Sequence, residues 1–333
     1  MPNYPMHDYE QMAKERFESL SPELKEYYTK AERPSLREIG LEGLRARGAT
    51  AGGAPISEDA DVSWKDVVID GPHGPIPTRI FTPKSEAKGP RGIYLHTHGG
   101  GYVMGAGLDT QTNGNVRISK ATDCIVVAPD FRLPPEHPFP VPLEDCFAAF
   151  QWTAKNASDI GGQSTGICVG GGCTGANLAA AVTIMARDTD GPKMGAQYLI
   201  APVFDLRGDY LSHHTNSEGF YTLSHDDCMY VYEQYLQDMS LRYDPRASVI
   251  LADTLKGLPA THIHVGEWDV LRDESRAYGA RLRDAGVDVT YVEAEKESHG
   301  PTPVNAPSVI ADMAAFLART VGPGGSAHRG EGR

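Results

Sequence analysis

Short apolar runs alternate with longer helix-like segments over most of the chain. Arg91 to Thr97, Cys124 to Ala128, Ile167 to Val169, Gln197 to Ala201, His262 to Val265 and Val289 to Val292 read as buried strands. Helical spacing fills Leu143 to Lys155, Leu178 to Met185, Asp273 to Asp284 and Ala306 to Arg319. Such alternation predicts a mostly parallel, doubly wound α/β sheet. Ahead of it, Lys65–Ile69 and Ile76–Phe81 flank the turn Gly71-Pro72-His73-Gly74, an antiparallel hairpin. Residues 1–50 are helical and amphipathic, ending in the loop Thr50-Ala51-Gly52-Gly53-Ala54-Pro55. The segment from about 204 to 250 breaks the alternation and is rich in Tyr, His and Asp. It is expected to form an inserted cap together with the N-terminal helices. The expected layout is cap helices over 1–50, one α/β domain over 51–320 and a Gly/Ser-rich disordered tail over 321–333.

One strand-to-helix junction stands apart. Gly166-Ile167-Cys168-Val169 runs into Gly170-Gly171-Gly172-Cys173-Thr174-Gly175 and then the alanine-rich helix. A strand, a tight glycine turn and a helix form the setting of a nucleophile elbow, whose pattern is Gly-x-Ser-x-Gly. Glycines two before and two after the nucleophile leave room for neighbouring backbone. Here a thiol, Cys173, takes the hydroxyl's place. Gly162-Gln163-Ser164-Thr165-Gly166 spells the pattern with a serine, but ahead of the strand, so it falls at the wrong end of the sheet.

Acyl chemistry also needs oxyanion donors, an acid and a base. His98-Gly99-Gly100-Gly101-Tyr102 follows a strand and suits the first task, with the N–H groups of Gly100, Gly101 and Thr174 as donors. Asp269 falls at the carboxyl end of the His262–Val265 strand, and His299 on the loop after the last strand. The order Cys173, Asp269, His299 is that of an elbow enzyme. Asp273 is the competing acid, one turn into the helix. Tyr102, Phe220 and Tyr221 are expected to line the acyl pocket, although aromatic packing explains them equally. His98 and His137 read as structural, and Arg132 with Glu136 as a loop-holding ion pair. His213-His214, near Asp205 and Asp209, lacks a second ligand pair at metal-site spacing, so no metal is expected.

The bulk numbers narrow the class. A net charge of −13 argues against nucleic acid or an anionic membrane as partner. No early apolar run serves as a signal peptide and none is long enough to span a bilayer, so a cytoplasmic protein is expected. Of five cysteines, Cys124 and Cys168 sit in strand-like runs, and Cys146 and Cys228 in helix-like segments. These four read as buried packing residues. Cys173 alone sits on a turn.

His98-Gly99-Gly100-Gly101-Tyr102, the run from Asp130 to Pro140, Asn177-Leu178-Ala179, Asp269-Val270-Leu271-Arg272-Asp273-Glu274 and His299-Gly300 together resemble the hormone-sensitive lipase family of α/β-hydrolases. The resemblance covers roughly residues 65–320. It implies an eight-stranded sheet, a helical cap and esterase activity on a small-molecule acyl substrate without a cofactor. The departure is the elbow, where the family usually has Gly-Asp-Ser-Ala-Gly-Gly. Gly172 replaces the acid as well, which speaks for a native cysteine, because a carboxylate there would oppose a thiolate. A thiolate is the better nucleophile but also leaves easily. Thioesters, lactones or activated esters are therefore expected in preference to plain alkyl esters. An acyltransferase or cyclase, a lyase using His299 as base, and a ligand receptor stay open as alternatives, as does a homodimer.

Overall fold

The computed structural model describes residues 9–22, 25–26, 29, 34–87, 89–189, 191–217, 222–299, 307–323 and 325. Eight strands form one sheet in the order β1-β2-β4-β3-β5-β6-β7-β8. The strands are β1 (Val62–Gly71), β2 (Gly74–Pro83), β3 (Arg91–Thr97), β4 (Ile125–Pro129), β5 (Gly162–Gly172), β6 (Ala196–Ile200), β7 (Ala260–Gly266) and β8 (Val289–Ala294). β1 and β2 form the antiparallel hairpin, β2 runs antiparallel to β4, and all later pairs are parallel. The central strands β3 to β6 are buried along most of their length because helices cover both faces.

The helices, in chain order, are α1 (Tyr9–Glu18), α2 (Leu36–Ala51), α3 (Thr112–Thr122), α4 (Val141–Lys155), α5 (Thr174–Asp188), α6 (Leu211–Thr215), α7 (His225–Leu236), α8 (Arg272–Asp284) and α9 (Pro307–Thr320). One core lies on the face holding α4, α5 and α8, built from residues such as Leu143, Phe150, Val182, Tyr278 and Leu282. A second lies under α3 and α9, with Val116, Ile118, Met313 and Leu317. α3 lies outside the elements predicted from the sequence. Its Thr112-Asn113-Gly114-Asn115 start has weak helix propensity, and burial of Asn115, Val116, Ile118 and Ser119 holds it in place.

The N-terminal helices sit on the inserted segment. The backbone N–H of Leu36 donates to Asp227 at 2.6 Å, Arg37 pairs with Glu233 at 3.0 Å, and Arg16 donates to Asn216 at 2.8 Å. Stretches nearly 200 residues apart thus close one cover over the carboxyl ends of the strands. Most of the expected tail, and all of Phe220 and Tyr221, lie outside the described residues. No described helix is long and apolar enough to cross a membrane.

Candidate active site

The elbow is built by close approach. A Cβ on Gly171 would stand 1.9 Å from the Thr97 carbonyl oxygen, and one on Gly175 would stand 2.1 Å from the same atom. No side chain fits at either position. Thr97 at the end of β3 locks the junction by donating its hydroxyl to the Gly175 carbonyl at 2.8 Å. Between these glycines Cys173 adopts φ 55°, ψ −122°, a conformation that L residues with side chains rarely hold. Its N–H is fixed to the Ile200 carbonyl at 2.8 Å. The thiol is half-buried, whereas Cys124, Cys146, Cys168 and Cys228 are buried. Burial pushes the Cys124 thiol up to about 11 and the other three well above their ordinary range. Ser164, the other elbow-like serine, lies exposed at the opposite end of β5.

His299 and Asp269 meet the thiol there. The His299 ring holds Asp269 Oδ2 through Nδ1 at 2.9 Å, and the Cys173 sulfur lies near enough to act on its charge. Burial works to lower the imidazole's pKa. The Asp269 carboxylate and the neighbouring sulfur outweigh it and hold the ring well above its usual value. Asp269 is fully buried, and its other oxygen accepts the Leu271 N–H at 2.9 Å. Gly266 allows the two loops to stack, because a Cβ there would sit 2.3 Å from the Glu297 carbonyl oxygen. The cap pins the acid loop from above: Asn216 donates to the Asp269 carbonyl at 2.8 Å and Ser212 to the Val270 carbonyl at 2.6 Å. Asp273 instead faces Arg272 and the Ser212 N–H, away from the imidazole.

The glycine loop closes the third side. A Cβ on Gly99 would meet the Gly172 carbonyl oxygen at 2.5 Å, and Gly100 and Gly101 turn with φ 117° and 59°. His98 donates from Nδ1 to the Gly99 carbonyl at 2.8 Å and stacks on Phe131. Tyr102 departs from its expected place on the pocket wall. It is 3% exposed, lies flat on Tyr235 with ring centroids 3.7 Å apart, and donates its hydroxyl to Asn177 at 2.9 Å. Its N–H donates to the Thr174 hydroxyl at 3.1 Å, so Tyr102 ties the glycine loop to α5.

Two features escaped the sequence reading. Asn177, fully buried, accepts from Tyr102 and donates to the Val203 and Ala247 carbonyls, joining elbow helix, glycine loop and cap. Its place in Asn177-Leu178-Ala179 was the available signal. The other is Arg132, which pairs with buried Asp145 on α4 at 2.7 Å, while Glu136 pairs with Arg45 of α2. The expected Arg132–Glu136 pair is replaced because buried Asp145 requires a cation, and the exposed Glu136 does not. His213 is buried against Glu274, with Nε2 3.7 Å from Oε2. Among the described residues no group of three side chains is placed to hold a metal.

A cleft of about 340 Å³ opens over Cys173, His299 and Gly100 and runs between α2 and α3. Sheet order, elbow and acid–histidine pair together define an α/β-hydrolase fold with Cys173 at the sheet's carboxyl edge. The profile of the alpha/beta hydrolase fold family matches residues 94–302. The carboxylic ester hydrolase LipN of Mycobacterium tuberculosis is 38% identical over 69% of this chain and 62% of its own length, so the chain spans less than two thirds of LipN. The esterase LipI of the same organism is 34% identical over 78% of this chain and 81% of its own. The solved structure of a Pyrobaculum calidifontis esterase superposes with a TM-score of 0.79 at 29% identity, covering 90% of this chain and 98% of that one. The chain belongs to the hormone-sensitive-lipase-like, carboxylesterase-type family of α/β-hydrolases. It is an enzyme of the carboxylic ester hydrolase type.

Proposed function

We propose that this hydrolase works through the thiol of Cys173, forming a covalent acyl-enzyme and acting on thioesters, lactones or activated esters. The observation that carries the reading is the His299–Asp269 pair sharing one cleft with Cys173 at a strained elbow. His299 takes the Cys173 proton and the sulfur attacks the acyl carbonyl carbon. Asp269 orients the ring and favours its charged form. The N–H groups of Gly100, Gly101 and Thr174 receive the oxyanion, helped by the positive end of α5. Among the described residues none of these three N–H groups is spent on an internal hydrogen bond. As the adduct collapses the imidazolium protonates the leaving group. The ring then takes a proton from water, whose oxygen attacks the thioester and releases the acid.

Substrate preference follows from leaving ability. The tetrahedral adduct on Cys173 carries a thiolate and the substrate's leaving group. An alkoxide leaves far less readily than a thiolate, so adducts of plain alkyl esters return to substrate. With a thioester the two leaving groups are matched and the forward path opens.

Intact-protein mass after brief exposure to acyl thioesters and activated esters tests the reading. An acyl-sized gain is expected on the native chain and none on Cys173→Ala, with turnover lowered by roughly a thousandfold or more. Faster turnover of ethyl esters than of matching thioesters would overturn the substrate preference. Activity surviving intact in Cys173→Ala would remove the nucleophile and leave His299 acting as a base alone.

A further inference from the structure

The first helix of the chain touches both loops that carry the acid and the histidine. On α1 and just past it, Ala13, Phe17 and Leu20 recur at helical spacing and cluster on Trp268, the residue before Asp269. Trp268 is buried, and its N–H donates to the Glu297 carbonyl at 2.8 Å, on the loop of His299. Lys296 of the same loop reaches the Ser19 carbonyl at 3.5 Å. A helix of 10 residues is marginal on its own, so this patch beside the site is what docks α1.

Arg16 leans across Trp268, its guanidinium 5.7 Å from the ring centre, and donates from Nη1 to Asn216 Oδ1 at 2.8 Å. Asn216 closes the cap helix α6 and is fully buried. It donates in turn from Nδ2 to the Asp269 carbonyl at 2.8 Å. Polarity fixes the middle of this chain. A guanidinium only donates and a peptide carbonyl only accepts, so the amide must turn its oxygen to Arg16 and its nitrogen to Asp269. Flipped, it would set donor against donor and acceptor against acceptor. The Thr215 hydroxyl, 3.1 Å from Oδ1, enforces less, because a hydroxyl rotates to suit either polarity. With its oxygen on a cation, the amide is also the stronger donor.

The carbonyl held in this way belongs to the acid itself. Asp269 reaches His299 Nδ1 at 2.9 Å from a backbone held by Asn216 and by its own N–H on the Gly266 carbonyl. Among the described residues lining the cleft, none comes from α1.

We infer that Arg16 and Asn216 are positioning residues: α1 sets the orientation of the Asn216 amide, and that amide sets the aim of Asp269 at His299. The inference rests on the reading of Asp269 as the catalytic acid. It makes the N-terminal helix part of the working site without contact to substrate, so its loss falls on turnover and spares binding.

The test measures kcat and KM of the full chain on p-nitrophenyl acetate, an activated ester, with folding of each variant read by circular dichroism. Arg16→Met keeps a stem over Trp268 and removes the donor. Its kcat is expected to fall about tenfold, with KM within about twofold of native. Arg16→Lys retains a cation and a donor and is expected to recover part of the loss. Asn216→Ala is expected to lose at least as much, and adding Arg16→Met to it costs nothing further, because the chain is already broken. Should Asn216→Ala fail to fold, Asn216→Asp carries the same test, since it keeps Arg16 but turns an acceptor on the Asp269 carbonyl. A native kcat in Arg16→Met, with kcat collapsing in Asp269→Asn, would overturn the inference and leave the acid standing. Losses that multiply in the double variant would overturn it too, because the two residues would then act separately. A native kcat in Asp269→Asn would remove the acid reading, and this inference with it.

Discussion

The floor and the roof of the cleft both rely on glycine, for opposite reasons. In the floor, Gly171 and Gly175 are places where the Thr97 carbonyl comes within 2.1 Å of any added Cβ. In the roof, Gly114 is a place where an added Cβ touches nothing. The floor is close-packed backbone that holds the turn at Cys173 in one arrangement. The roof keeps space that the protein itself does not fill. Cys173 and its neighbours are thus overdetermined by the sheet, while Gly114 sits on a helix that could carry another side chain there without a clash.

The sharpest way to break this contrast is to add the same methyl group to both regions. Gly171→Ala or Gly175→Ala must push the Thr97 carbonyl aside. A loss of about 3 kcal/mol or more is expected, together with loss of acylation at Cys173, read by thermal melting and intact mass. A variant that melts like the parent and still acylates would mean the elbow relaxes freely, and the contrast would fail.

A second difference concerns protons. The His299 pKa is raised, whereas His96, His213 and His262 are each held at about 4, with burial as the first cause in all three. His262 stacks on Tyr198 and meets Phe316 edge-on, with His264 and Arg319 adding to the depression and neither ring nitrogen hydrogen-bonded. For a depressed histidine the unfolded chain binds the proton first. Its contribution is therefore full above about 6.5 and is lost as pH falls toward 4, by up to roughly 3 kcal/mol per group. For His299 the sign reverses: stability gained from its raised pKa is present at low pH and is lost as pH rises through the folded value. Thermal melts should fall steeply between pH 6.5 and 4. His262→Phe is expected to flatten part of that slope, and an unchanged slope would show that the ring is not held neutral.

The smallest expected effect is in the roof. Gly114→Ala should raise the free energy of unfolding by roughly 0.5–1 kcal/mol, a rise of a few degrees at most in the melting temperature. A loss of stability instead would show that the cleft wall at this point is packed, and would sharpen the floor–roof contrast into something subtler than space.

The sequence by itself determined what depends on adjacent residues. Strand, glycine turn and helix around Cys173 are encoded in the consecutive positions from Gly166 to Met185, and the order of Cys173, Asp269 and His299 follows from where strands end. Both are local signals, written in apolar runs and turn residues. Tertiary structure decided whatever depends on which surfaces face each other. Tyr102 leaves the pocket because Tyr235, 133 positions later, offers its ring a stacking partner and Asn177 takes its hydroxyl. Arg132 chooses Asp145 because that carboxylate is fully buried and Glu136 is not. The cleft wall was illegible for the same reason. α3 is a weak helix by propensity, held by the core beneath it, and the open space beside Gly114 exists only once α2 has been laid across the strand ends.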